Sequence, residues 1–155
     1  MKLFALLAAM FALVMTTVAP IGKVAEAAQP EINVGRYSKL AIHGYDPVAY
    51  FKSGTPVEGK ETFPFVYKNA KWLFSSAENL ELFQADPEAY APQYGGHCAY
   101  AASLGEFSDA DPVAWRVIDG RLFLNYDNRV QRQWENELKA NIVKGDENWP
   151  KMLAR

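Results

Sequence analysis

The chain of 155 residues holds one cysteine, Cys98, so no intrachain disulfide can fasten its fold, and stability has to come from buried apolar surface and hydrogen bonding. The opening residues sharpen that constraint. Met1-Lys2, an apolar run over 3–18 and Ala25-Glu26-Ala27 read as a secretory signal peptide, residues 1–27, cut after Ala27. A membrane anchor is the competing reading; Pro20, Gly22 and the small-residue cleavage site favour removal. No cysteine lies near that site, as a lipid anchor would need. The expected location is the periplasm or the exterior, with no stable membrane anchor after cleavage. An exposed lone thiol there would pair with whatever thiol it met, so Cys98 is expected to be buried, bound or deliberately reactive.

Cleavage removes two basic residues, Lys2 and Lys23, and one acidic residue, Glu26, which takes the net charge from −2 to −3. A mildly acidic chain without a basic run gives no footing for nucleic acid or an anionic membrane. What remains suits one domain that buries about two-thirds of its unfolded surface. Trp72, Phe74, Phe83, Tyr90, Trp115, Phe123 and Trp134 are expected to be core rather than a ligand cage.

Residues 28–40 read as an arm lying on the domain 41–155. Asp46-Pro47 places a capping side chain before a proline at the first helical position, which predicts a short helix over 47–52 closed by Gly54. Asp86-Pro87 and Asp111-Pro112 repeat the device, each with an aromatic at the fourth helical position. Alternating aromatics on both sides of Lys68-Asn69-Ala70 predict a hairpin, with Pro64 at an edge or before the strand starts. Ser75-Ser76-Ala77-Glu78 fits a capping box with Ser75 as the cap. A helix is expected over 97–104, closed by Gly105. Asp119-Gly120 between two apolar runs predicts a second hairpin. Val130, Trp134, Leu138 and Ile142 recur at helical spacing and predict the longest helix over 127–144, stopped by Gly145. Asn148-Trp149-Pro150 begins a terminal segment expected to fold back onto the domain. The fold class is α+β: a single small domain with two β-hairpins, one long C-terminal helix and several short Asp-Pro-capped helices.

Gly44-Tyr45-Asp46-Pro47-Val48-Ala49-Tyr50-Phe51, Trp72-Leu73-Phe74-Ser75-Ser76-Ala77-Glu78-Asn79, Asp86-Pro87-Glu88-Ala89-Tyr90, Tyr94-Gly95-Gly96-His97-Cys98-Ala99 and Asp119-Gly120 through Asn125-Tyr126 occur in this order. In these stretches the chain resembles exported bacterial proteins of the YHS-domain family, over essentially all of its length after the leader. The 41–155 region then corresponds to a YHS-like domain with a C-terminal hairpin-helix extension. The resemblance implies a link to metals, because many YHS and related TRASH-type modules carry a cysteine after the Asp-Pro-Val and a Cys-x3-Cys pair after the aromatic strand. Here those positions hold Ala49, Ser75 and Asn79. Alanine offers no donor, and serine and amide oxygens are weak substitutes for a soft thiolate, so the family's usual site cannot form.

The stretch that carries chemistry is Tyr94-Gly95-Gly96-His97-Cys98-Ala99-Tyr100, with the lone thiol and one of two histidines beside a glycine pair that permits a sharp turn. Three readings stand beside each other. In the first, Cys98, with His97 or His43, binds a transition metal, copper or alternatively zinc, since thiolate and imidazole suit Cu(I) and Zn(II). In the second, Cys98 is a buried core residue in a structural or small-ligand-binding domain, with a pocket shaped by Gly95-Gly96 near Tyr94 and Tyr100. In the third, Cys98 serves a thiol-dependent enzyme or redox protein, which requires an accessible thiol of lowered pKa. For His43 the plain alternative is a loop residue bonded to backbone. No Gly-x-Ser-x-Gly, His-Glu-x-x-His, phosphate-binding loop or haem-attachment signature is present. The lone Met152 after the leader argues against a methionine-rich copper carrier. The sequence names no protein partner.

Overall fold

In the β1-β2 hairpin, β1 (Lys60–Tyr67) alternates: Phe63, Phe65 and Tyr67 turn inward while Pro64 and Val66 stay exposed. The strand pairs antiparallel with β2 (Ala70–Phe74), Phe65 opposite Trp72. Lys68 and Asn69 take φ of 49° and 61°, the left-handed pair that a two-residue hairpin turn needs. The computed structural model describes residues 30–35 and 38–155; the leader reading falls outside them. The elements follow in the order α1 (Ala49–Lys52), β1, β2, α2 (Ala77–Ala85), α3 (Pro87–Tyr90), α4 (Ala99–Ser103), β3 (Asp111–Ile118), β4 (Arg121–Asn125), α5 (Asn128–Asn136) and α6 (Leu138–Leu153). The fold is α+β, with two separate two-stranded sheets, β1-β2 and β3-β4. Among the described residues no helix is long and apolar enough to cross a membrane.

Phe83 of α2 is the hub of the larger core. Its ring centroid lies 5.1 Å from Phe74, 5.2 Å from Trp72 and 5.7 Å from Tyr67, and Trp72, Phe74 and Phe83 are all fully buried. A second cluster gathers Tyr94, Ala99, Ala102, Phe123 and Trp134, with Trp149 against it. Asp119-Gly120 forms the β3-β4 turn with both φ positive, and Asp86 caps α3 through the Ala89 N–H at 3.2 Å.

Five expectations are corrected. Asp111-Pro112 starts no helix; it opens β3. The Asp111 carboxyl accepts from the Val113 N–H at 3.0 Å, the Pro112 carbonyl accepts from the Tyr50 hydroxyl at 2.9 Å, and the missing proline N–H falls where the ladder is irregular between Asp111 and Trp115. The cap of α2 is Ser76, which accepts from the Asn79 N–H at 3.2 Å, because Ser75 is committed elsewhere. The long helix is two, α5 and α6, broken at Glu137, where the Asn141 side chain donates to the Trp134 carbonyl at 2.8 Å. Gly145 does not stop a helix but lies inside α6, which carries Asn148, Trp149 and Pro150 with it. Lastly, only Ala99–Ser103 of the expected 97–104 helix is helical, with Gly105 closing it at φ 79°.

Ser75 is committed to Asp46, a residue with no exposure. One Asp46 oxygen accepts from the N–H groups of Val48 (2.9 Å) and Ala49 (3.3 Å). The other accepts from the Ser75 N–H (2.8 Å), the Ser75 hydroxyl (2.6 Å) and the Asn79 amide (2.7 Å). The carboxyl thus ties α1 to the end of β2 and the start of α2.

Candidate functional site

The glycine-bearing stretch folds as a 3-10 turn over Gln93–Gly96, in which Tyr94, Gly95 and Gly96 all take positive φ, 54°, 60° and 81°. Each glycine also has a neighbour that forbids a side chain. A β-carbon on Gly95 would overlap the Glu31 carbonyl, and one on Gly96 would stand 2.6 Å from Ile42 Cγ2. The arm is thereby laid directly on the turn. Asn33 N–H donates to the Gly95 carbonyl at 2.8 Å and its side-chain amide to the Gly96 carbonyl at 3.1 Å.

The three residues singled out for metal binding take separate environments. Cys98 is buried beside β4: its sulfur accepts from the Tyr126 N–H at 3.3 Å and lies 3.9 Å from Asn125 Oδ1. Burial pushes its thiol pKa up, against the backbone N–H groups around it. A thiol-dependent reaction wants the reverse on both counts. His97 faces the arm, with Nε2 3.0 Å from the Pro30 carbonyl and its ring against Phe107 (5.0 Å) and Trp149 (5.9 Å); burial lowers its pKa. His43 is the exposed one. Its Nε2 lies 2.8 Å from Asp109 Oδ1, and it takes φ 56° in a turn where Ile42 is also left-handed at φ 42°. Among the described residues, no group of three or more His, Cys, Asp or Glu is placed to hold a metal ion. The positions where the family resemblance implies thiolates fare no better. Ala49, Ser75 and Asn79 do converge, but all three donate hydrogen bonds to Asp46, so they do not fit a metal.

The turn instead walls a cavity of about 250 Å³ between the arm, the β1-β2 turn, α3 and α6. Ile32, Ala91, Pro92 and Gly95 give its apolar surface, Tyr67, Tyr94 and Trp149 its aromatic surface, and Glu31, Lys68, Glu88 and Asp146 its charges. Tyr94 is held by its hydroxyl, which donates to Asp146 Oδ1 (3.0 Å) and lies 3.2 Å from the Ile142 carbonyl. Gly145 makes this possible, since a β-carbon there would stand 2.5 Å from that hydroxyl. Arg121 grips Asp146 at 2.6 and 3.0 Å and Gln93 at 2.8 and 3.0 Å. The Arg121 bond holds the Asp146 carboxyl below its ordinary range, against partial burial. Lys68 bridges Glu31 (2.9 Å) and Glu88 (3.1 Å). Burial alone would lower the lysine, but these two hydrogen bonds outweigh it and raise its pKa. The hydrogen bonds of Tyr67 and Lys68 to Glu88 lower that carboxyl. A wider, more open hollow of about 430 Å³ lies beside His43, lined by Tyr45, Asp109, Asp111, Pro112 and Tyr126.

The Tyr94-Gly95 turn was legible in the sequence. Glu31, Lys68, Glu88, Asp146 and Trp149 were not, because they come from the arm, the β1-β2 turn, α3 and α6, and only tertiary packing brings them to one place. Compared with protein-family models, curated proteins and solved structures, the chain matches none of them.

The arm is pinned by carboxylates on both sides: Glu88 through Lys68 and Glu31, and Asp109 through the Asn33 amide at 2.8 Å. Partial burial would raise Asp109, but its bonds from Asn33, His43 and the Ala110 N–H outweigh that and lower it. A carboxyl with a lowered folded pKa lends stability that is complete above its unfolded value, about 4, and is lost as the pH falls through the lower folded value. Acid is therefore expected to release the arm before the hairpins melt. Hydrogen exchange at the Asn33 amide should lose protection below about pH 4 while Trp72 and Phe123 stay protected; simultaneous loss at all three would refute local release.

Proposed function

We propose that the chain is an exported YHS-like binding module that holds a small ligand in the cavity beside Tyr94 and Gly95. The observation that carries this reading is the cavity itself: arm, turn, hairpin and last helix meet there around aromatic faces and fixed charges, at a volume just under the usual range for small-molecule pockets, about 300–1,000 Å³. Two glycines and Gly145 are spent on keeping its wall in place. The YHS-like part of the reading draws support from the meeting of Ala49, Ser75 and Asn79 at one carboxylate, Ala49 by its main-chain N–H at one oxygen of Asp46 and Ser75 and Asn79 by their side chains at the other. Export rests on the leader-like residues 1–27.

Copper or zinc held by Cys98 with His97 or His43 is the competing reading, favoured by the adjacency of His97 and Cys98 in the chain. One pair of measurements separates the two. A fragment set titrated into ¹⁵N-labelled protein is expected to move the Gly95 amide and the Trp149 indole together, while Cu(I) titration against a competing chelator finds no site that Cys98→Ser removes. Tight one-to-one copper binding lost in Cys98→Ser, with the cavity resonances unmoved by every fragment, would replace the pocket reading by the metal one.

A further inference from the structure

We infer that the ligand of this cavity is a small monovalent organic cation, an alkyl ammonium or a close relative; the inference rests on the pocket reading above. Three carboxylates, Glu31, Glu88 and Asp146, line the cavity, against one lining cation, Lys68, and one behind the wall, Arg121. One negative charge is left over, which repels anions and matches a single positive charge.

Hydrogen-bonding capacity points the same way. The Tyr67 and Tyr94 hydroxyls are already committed to Glu88 and Asp146, and Lys68 is shared by two carboxylates. On the acceptor side there is room. Oε2 of Glu31 and Oε2 of Glu88 carry no hydrogen bond among the described residues, whereas their Oε1 atoms do. A carboxylate accepts at both oxygens, so a donor entering the cavity can take these two exposed atoms from water, and a charged donor is held about twice as strongly as a neutral one.

The aromatic surface supplies the third argument. Chain and ligand would use the same chemistry, because Lys68 already sets its ammonium 5.4 Å from the Tyr67 ring centroid, between the two glutamates. Tyr94 and Trp149, packed on each other with centroids 6.0 Å apart at 58°, both line the same cavity and add a second aromatic surface to it. Two inclined rings near surplus negative charge are the setting in which ammonium groups are recognised through the ring quadrupole. A hydroxyl-rich neutral ligand would find fewer free donors, and an anion would meet the surplus charge.

The test uses choline and n-butylammonium as probes, each beside its uncharged isostere, 3,3-dimethylbutan-1-ol and pentane, at constant ionic strength, read at the Gly95 amide and the Trp149 indole. Saturable shifts with at least one cation are expected, with binding about tenfold weaker for its neutral partner. Glu88→Gln, at an exposed side chain, and Glu31→Gln also loosen the arm that walls the cavity, so the readout is the ratio: each should weaken the cation more than its neutral isostere and bring the two affinities closer together. Equal binding of cation and isostere, or indifference to both substitutions, would overturn the inference. If neither cation binds but an uncharged fragment moves the same two resonances, the ammonium assignment falls and the pocket reading stands. If nothing moves them, both fall.

Discussion

Asp46→Ala is expected to lower the unfolding free energy by about 3–5 kcal/mol, because several buried donors lose their acceptor together at about 1–3 kcal/mol each. Asp46 is fully buried and accepts five hydrogen bonds from Val48, Ala49, Ser75 and Asn79. Among the described residues no other side chain joins the Asp-Pro turn to the β2-α2 junction so completely. Asp46→Asn keeps the shape but turns one acceptor into a donor facing donors, so a loss of about 2 kcal/mol or more is expected there too. Urea unfolding gives the answer directly: the midpoint should fall with the slope unchanged. A loss under about 1 kcal/mol for the alanine variant would mean that water replaces the carboxyl at this junction, and the fastening role would be lost with it.

Gly95→Ala should act on the site more than on the core. Its φ of 60° costs alanine about 1–2 kcal/mol in backbone strain alone, and the added carbon would overlap the Glu31 carbonyl. Backbone cannot swing aside as a flexible side chain can. The arm must lift, taking with it the bonds from Asn33 to Gly95 and Gly96 and the Glu31 side of the cavity. The expected result is a folded protein with its aromatic core intact, fast hydrogen exchange at Asn33, and no cavity ligand. Unchanged protection at Asn33 would show that the arm can tolerate the methyl group, and the wall would then not depend on Gly95.

Both residues were visible in the sequence, yet for different reasons than the structure gives. Asp46 stood out as a helix cap; its bonds to Ser75 and Asn79, 29 and 33 positions away, could not be read from local pattern. The capping-box pattern pointed to Ser75 as the cap of α2, and the long-range claim of Asp46 on Ser75 left that role to Ser76. Asp111 repeated the Asp-Pro signal, but pairing with β4 and the Tyr50 hydroxyl overrode it. Local chemistry did suffice at Asp119-Gly120 and Asp86-Pro87, where the turn and the cap are complete within a few residues. Gly145 misled because a glycine after a periodic run is the usual mark of a helix end; here it is the space left for Tyr94. The candidate site was half legible for the same reason. The turn around Gly95 is a local feature, whereas the charges and Trp149 are brought to it by tertiary packing.

The wall that joins Glu31 to Trp149 has a consequence for the order in which the molecule is completed. These two residues stand near opposite ends of the described chain, so their meeting closes nearly the longest loop the chain can make, and contacts of that kind are the costliest in entropy to form early. The hairpins and the Phe83 cluster can assemble from short-range contacts while the final turns of α6 are still absent. The cavity is therefore a property of the finished chain: a nascent or truncated molecule can possess most of the core and still lack it.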